Sequence, residues 1–346
     1  MRAMVIRRHG PPDVFDVQQR ADPQLKAGEV LIRVKAIGVN FADLLARMGL
    51  YPGAPKPPFV PGLEISGVIE KVMENPGGRR GEGGSLQPGD AVMAIPQFGA
   101  YAEWVAAPMS LVYRMPAGMA FDAAAAFPVN YLTAYHSMFT MGNLRAGDRV
   151  LVHGAAGGVG IAAVQMAKAK GLVVFGTAGG AKQDFLRKIG VDHPIDYEKN
   201  DFVKVVKQYA PEGIEMVMDP IGGKSLVRGQ QCLGQAGRLV IYGLSDAAGT
   251  SGKRSLARGL KALLDTPRFH PLKLMEKNLA VIGVGMGGVL TRGTMVRDEL
   301  TELFKMYGEG KIKPAIAKTF LLEQAAEAHR YIHDRKNIGK VILSVR

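Results

Sequence analysis

The octapeptide HGAAGGVG at residues 153–160 constrains this chain more than any other stretch. It follows the apolar run RVLVH (149–153) and opens the helix-like segment VGIAAVQMAKAKG (159–171), after which LVVFGT (172–177) forms a second apolar run. This order reads as strand, tight turn, helix and strand, with Gly171 as the helix stop. Residues without side chains are needed at such a turn when an anion must approach the helix N-terminus. Free N–H groups and the helix dipole hold negative charge there. Gly157 permits close backbone approach and Gly160 permits close packing of helix on strand, with Ala155 in the first position of an A-x-G-x-x-G pattern. In this context the pattern is that of a dinucleotide-binding unit, with a glycine-rich packing turn as the competing reading.

A unit of this kind that binds NAD usually carries an acid roughly 20 residues on, at the end of the second strand, for the ribose 2′-hydroxyl. Here that strand runs into FGTAGGAKQD, where the first charge is Lys182 and the first acid, Asp184, already lies in the next helix. A missing carboxylate removes repulsion and a cation adds attraction for a 2′-phosphate, so NADPH is expected over NADH. Lys182 also reads as an ordinary solvated helix residue.

The strand–helix alternation continues through a helix at 181–189, a strand at 193–197, a helix at 200–209, strand 214–219, a helix at 223–233 and strand 238–243. Strands alternating with helices imply a parallel sheet, and right-handed crossovers imply a doubly wound α/β fold. Residues 1–125 are β-rich instead, with strands at 29–40 and 59–72 and a glycine-rich loop at 74–90. At 346 residues the chain is long enough for two domains. Cys232 is the only cysteine, which excludes an internal disulfide and any zinc site built on several thiolates. The first ten residues hold three arginines with no apolar run behind them, and no segment has about 18 uninterrupted apolar residues, so a soluble protein is expected, and the single cysteine points to a reducing, cytoplasmic setting. The net charge of +13 attracts anions or serves solubility. No aromatic-basic motif accompanies it, and nucleic acid is not expected as a partner.

The runs GVNFADLLARMGLYP (38–52), PGLEISGVI (61–69), NYLTAY (130–135), VHGAAGGVGIAAVQMAK (152–168), HPIDY (193–197), VMDPIGG (217–223) and NIGKVIL (337–343) together resemble the zinc-independent quinone oxidoreductases of the medium-chain dehydrogenase/reductase superfamily. Within that family the chain is most similar to the vesicle amine transport protein homologues. The resemblance implies a GroES-like catalytic domain from residues 1–126 and 291–346, a Rossmann NADPH-binding domain over 127–290, and a cofactor in the cleft. Asn40 and Leu63 stand where zinc-dependent relatives carry Cys and His, so no zinc is expected.

By the same resemblance the cofactor is expected at Asn40, Thr133, the turn residues Ala155, Gly157, Gly158, Val159 and Gly160, Thr177 at the end of the second strand, and Gly243, Leu244 and Ser245. Lys182, Tyr197 and Arg335 are expected around the 2′-phosphate. Asn40, Asp43 and Tyr51 would line the substrate side, with Tyr51 as a proton donor. The reaction implied is hydride transfer to a quinone or α,β-unsaturated carbonyl. Charge then develops on the carbonyl oxygen, to be met by the Asn40 amide and the Tyr51 hydroxyl. An ionised Asp43 accepts hydrogen bonds only and is assigned to orienting its neighbours; capping a helix at 42–48 explains it equally well. His153 reads as structural, and Glu64 as a support of the cleft.

One segment falls outside this pattern. The insertion at 246–278 places Leu256, Leu260, Leu263 and Leu264 on one helical face, with Lys253, Arg254, Arg258 and Lys261 around them. Such a helix can pack on its own protein or its dimer mate, cover the substrate, or lie on an anionic membrane. That last possibility makes a non-catalytic NADPH-binding protein at membranes the alternative function. The uncharged strand 279–285 is expected to pair with its copy in a homodimer.

Overall fold

A computed structural model describes residues 1–74, 86–248 and 264–346. Most of the expected loop at 74–90 and the basic face of the insertion therefore lie outside the described residues. Among those described, the chain forms two units, one from Met1–Val129 with Ala315–Arg346 and the other from the residues between Asn130 and Pro314. The return to the first unit comes at Ala315 rather than at 291. The reason is the helix Gly293–Gly308, whose Glu299 carboxylate is bonded to His136 (2.8 Å) and Thr140 (2.5 Å) within the second unit.

The first unit is built on strands β1 (Arg2–Ile6), β2 (Phe15–Gln19), β3 (Glu29–Val39), β4 (Ile65–Met73), β5 (Ala91–Ala94), β6 (Trp104–Pro108) and β7 (Val112–Arg114). Two strands from the other chain end join them, β14 (Ile316–Leu321) and β15 (Lys340–Ser344). The order is β14-β15-β3-β4-β5-β7, with β6 also on β3 and a separate β1-β2 pair. The register is set by alternation: Val30, Ile32 and Val34 of β3 are buried while Arg33 and Lys35 are exposed. The eight-residue helix Phe41–Met48 is too short to persist alone. It is sustained by burying Leu44 and Met48, each contributing about 1.5–3 kcal/mol, and ends on Gly49 at φ 72°.

The second unit holds β8 (Arg149–Val152), β9 (Val173–Ala178), β10 (His193–Asp196), β11 (Ile214–Asp219), β12 (Leu233–Ile241) and β13 (Ala280–Gly283). Their order is β10-β9-β8-β11-β12-β13, with every neighbouring pair parallel. That is the doubly wound arrangement, whose strand order reverses between β8 and β11. The carboxyl ends of those two strands feed the glycine turn at 154–157 and the turn at Pro220–Gly223. Sequence periodicity missed the π-helical stretch His136–Met141, while the short β/α tail it expects after the helix at 296–307 is formed by β14, the helix Ala325–His333 and β15.

Candidate functional site

In the second unit the glycine turn is held from beneath. His153 is buried and its Nδ1 lies 3.0 Å from Thr177 Oγ1, which also accepts the Gly154 N–H at 3.3 Å; the Ala155 N–H donates to Thr177 O at 2.9 Å. Thr177 thus fixes the turn, and Ala155, fully buried, packs within it. The glycines divide by physical cause. A Cβ on Gly160 would stand 2.3 Å from Gly154 O and 2.7 Å from Ala155 Cα, so the packing of helix on strand forbids one. A Cβ on Gly158 would meet Asn130 Nδ2 at 2.5 Å. Gly157, the N-cap of the helix Gly158–Ala169, has ordinary extended dihedrals (φ −83°, ψ 175°), and the atom nearest its missing Cβ is Gly154 O at 3.2 Å. Backbone conformation does not require a glycine at 157. Residues 158–160, including Val159, form the first turn, whose N–H groups lack partners within the helix.

Thr133 is buried in the helix Pro128–Tyr135, and Gly243–Ser245 lie against the turn after β11. There the Ser245 N–H donates to Pro220 O at 2.9 Å, and a Cβ on Gly243 would meet the same oxygen at 2.8 Å. Leu244 is half exposed. Asp219 Oδ1 fastens that turn through the N–H groups of Ile221 (2.6 Å) and Gly222 (2.8 Å).

The end of β9 differs from the sequence expectation. Lys182 lies in the short turn Gly180–Lys182 and Tyr197 is exposed, but acids do stand here. Asp196 is paired with Ala178 across the β9–β10 ladder. Its Oδ2 lies 2.9 Å from where a Gly180 Cβ would be, and Glu198 Oε1 lies 3.1 Å from that of Gly179. The parallel sheet brings the acids of the next strand end beside β9, which a search along the chain for a nearby acid does not detect. Asp196 Oδ1 already accepts the Glu198 N–H at 3.1 Å. Arg335 belongs to the first unit, in the turn after the helix Ala325–His333, with φ 55°.

In the first unit the register Val341 opposite Val39 sets Lys340 beside Asn40. Lys340, only 4% exposed, donates from Nζ to Asn40 Oδ1 at 2.6 Å and bonds Glu64 Oε1. Asn40 Nδ2 donates to Glu64 Oε1 at 2.9 Å and, at a longer 3.3 Å, to Gly38 O. Glu64 Oε2 accepts the Val129 N–H at 2.9 Å. The Asn40 amide, expected to face a substrate oxygen, is therefore engaged on both its sides inside the unit. An ammonium on its oxygen repels a cation and the neighbouring Leu63 offers no donor, so this group does not suit zinc. Among the described residues no three His, Cys, Asp or Glu side chains converge as metal ligands.

Asp43 follows in the same cluster. It sits at the third position of the helix Phe41–Met48, and its Oδ2 accepts the Asn40 N–H at 2.8 Å, which is the capping role. The Tyr101 hydroxyl donates to the same oxygen at 3.3 Å, while Oδ1 has no partner among the described residues. Complete burial pushes the Asp43 carboxyl up to about 7, against the opposing Asn40 N–H and Lys340 charge. Tyr51 is half-buried, edge-on to Phe98 at 6.4 Å between centroids. Burial and, after it, the Asp43 charge raise its hydroxyl above the usual phenol range.

Behind Asp43 lie groups that sequence reading passed over. His329 Nε2 is 3.1 Å from the Tyr101 hydroxyl, and buried Arg47 reaches His329 Nδ1 (3.3 Å), His333 Nε2 (2.7 Å) and Gly10 O. The i, i+4 spacing of His329 and His333 was the available signal. Lys340 was legible as a lysine at the entry of an otherwise apolar strand.

A doubly wound six-stranded sheet, joined in one chain to a β-rich unit built from both chain ends, defines an α/β architecture shared by many dehydrogenases and reductases. Family comparison agrees. The zinc-binding dehydrogenase family matches residues 189–343, and the alcohol dehydrogenase GroES-like domain matches residues 26–117. The chain is 40% identical over 345 residues to the synaptic vesicle membrane protein VAT-1 homolog of Danio rerio, covering 99% of this chain and 70% of that one. The crystal structure of the human synaptic vesicle membrane protein VAT-1 homolog-like protein is similar with a TM-score of 0.85 at 35% identity, over 100% of this chain and 98% of that one. The quinone oxidoreductase from Thermus thermophilus, solved also in its complex with NADPH, is similar with a TM-score of 0.79 at 32% identity, over 99% of this chain and 100% of that one. The chain belongs to the medium-chain dehydrogenase/reductase superfamily, with VAT-1 homologues and quinone oxidoreductases among its relatives.

Proposed function

We propose that this protein is a zinc-independent, NADPH-dependent oxidoreductase that reduces a quinone or an α,β-unsaturated carbonyl. The observation that carries the reading is Gly157. It is a glycine at a helix start whose dihedrals any residue adopts and whose missing Cβ would meet only Gly154 O, at a tight 3.2 Å, and close approach of an anionic ligand is the reason assigned to it. The NADPH complex of the Thermus relative supports the same reading.

Gly157, Gly158, Val159 and Gly160 would hold the pyrophosphate by their N–H groups, with Ala155 and Thr177 keeping the turn in shape. Thr133 and Gly243–Ser245 would border the nicotinamide end. Lys182 and Tyr197 would bind the 2′-phosphate. When bound, the cofactor supplies a hydride. The first unit supplies donors for the acceptor's oxygen: the Tyr51 hydroxyl, for which no hydrogen bond is found among the described residues, and the second N–H of Asn40, held only by the long contact to Gly38 O. Asp43 orients Asn40 through its backbone and touches no substrate.

NADPH oxidation against a panel of quinones and enals tests this. Turnover is expected, falling by about 10²-fold in Tyr51→Phe with NADPH affinity unchanged. Nucleotide binding without turnover on any acceptor would contradict it and favour the non-catalytic reading that the vesicle-protein relatives suggest. We also propose a homodimer through β13. Among the described residues this strand is the outer edge of its sheet; Ala280, Val281 and Ile282 are only half-buried, and Leu272 and Met275 of the preceding helix are 67% and 70% exposed.

A further inference from the structure

We infer that Lys340 is a positioning residue for the reaction, acting through the Asn40 amide. The inference rests on the oxidoreductase reading above and adds a group that reading does not contain. A buried ammonium aimed at an amide oxygen does two things. It fixes which way the amide faces, because Asn40 Oδ1 must lie toward Nζ at 2.6 Å, leaving Nδ2 toward Glu64 and Gly38. It also draws electron density from the amide nitrogen, making both N–H groups stronger donors in a low-dielectric surrounding.

One of those N–H groups is committed to Glu64 Oε1 at 2.9 Å. The other rests on Gly38 O at 3.3 Å, the longer of the two bonds the amide donates, and is the one that can transfer to an oxygen gaining negative charge. Glu64 keeps the ammonium in place: its Oε1 bonds Nζ and its Oε2 is anchored on the Val129 N–H at 2.9 Å. Gly38 makes room for this arrangement, since a Cβ there would stand 2.7 Å from Glu64 Oε1 and 2.2 Å from Ala125 O. The positive charge therefore reaches the substrate side through a neutral amide.

A purely structural role, neutralising Glu64, makes a different prediction. Removing Lys340 alone would leave a buried carboxylate without its cation, so the comparison is made in Glu64→Gln, which keeps an acceptor for Asn40 and no charge. Adding Lys340→Met to Glu64→Gln is expected to lower kcat by about tenfold with KM for NADPH unchanged. The same addition in a protein that also carries Asn40→Ala is expected to have little further effect. An equal loss with and without Asn40, or no loss in either, overturns the inference.

A second readout does not depend on turnover. The side-chain amide protons of Asn40, assigned by their loss in Asn40→Ala, should shift upfield when Lys340→Met is added to Glu64→Gln. Unmoved resonances overturn the inference by themselves. Should the wild-type protein reduce no acceptor at all, the oxidoreductase reading fails, and the resonances alone decide whether Lys340 polarises the amide.

Discussion

Arg47 carries a positive charge that cannot be shed at ordinary pH, yet it is fully buried and touches no carboxylate among the described residues. A guanidinium only donates, so His329 Nδ1 and His333 Nε2 must accept, and both rings must be neutral. Burial, followed by the Arg47 charge, lowers both imidazoles, His333 to about 4. A neutral His329 accepting at Nδ1 carries its proton on Nε2 and donates to the Tyr101 oxygen. The Tyr101 proton then points to Asp43. The sequence of donors runs one way, from Arg47 to Asp43, and ends on the residue that orients Asn40. Asp43 makes the pH dependence testable. Its carboxyl is raised to about 7 from an ordinary 3.8, so between those values the folded protein holds a proton that the unfolded chain has released. Stability from this group is present at low pH and falls as pH rises from about 4 to 7, on the order of a few kcal/mol in all. His333 has the opposite sign, losing stability as pH falls from 6.5 through about 4. Asp43→Asn isolates the first effect: its melting temperature relative to wild type should be higher at pH 8 than at pH 5. A difference independent of pH would refute the assignment.

At the scale of elements, local rules located most of the chain. Strands 29–40, 149–153 and 214–219 and the helices at 42–48 and 159–171 fall within about two residues of those observed, because each is bounded by a glycine, proline or cap and has a clear apolar period. What local rules could not give is adjacency. Lys340 and Asn40 are brought together by the β15–β3 register, and Asp196 is carried to the end of β9 by a parallel pairing. The π-helical stretch was illegible because its sequence, HSMFTM, has no signature distinct from an α-helix. The edge strand β13 was legible from its uncharged AVIGV and leads to a prediction for the pair of copies. Sedimentation should give a dimer for the wild type and a weakened one for Val281→Lys, which sets a charge on the edge. A monomeric wild type, or a dimer indifferent to that charge, would exclude this interface.

For the whole molecule, the fold separates two kinds of feature between two units of one chain, the first unit being discontinuous in sequence. The first unit gathers both chain ends around a buried polar cluster of Lys340, Glu64, Asn40 and Asp43, while the second unit offers a helix start cleared of side chains. Burying the first costs desolvation, offset in part by its hydrogen bonds, and in the second Gly160 and Gly158 allow close packing that a Cβ would block. Among the described residues no helix is long and apolar enough to cross a membrane. The measurement that decides the account is calorimetric titration of the purified protein with NADPH and NADH, alongside Gly157→Ala, whose added methyl would stand 3.2 Å from Gly154 O and asks that oxygen to give by a few tenths of an ångström. The account predicts saturable binding of NADPH, tighter than NADH, and its loss in a Gly157→Ala protein that melts like the wild type. Absence of binding by either nucleotide, or undiminished binding in Gly157→Ala, would contradict it.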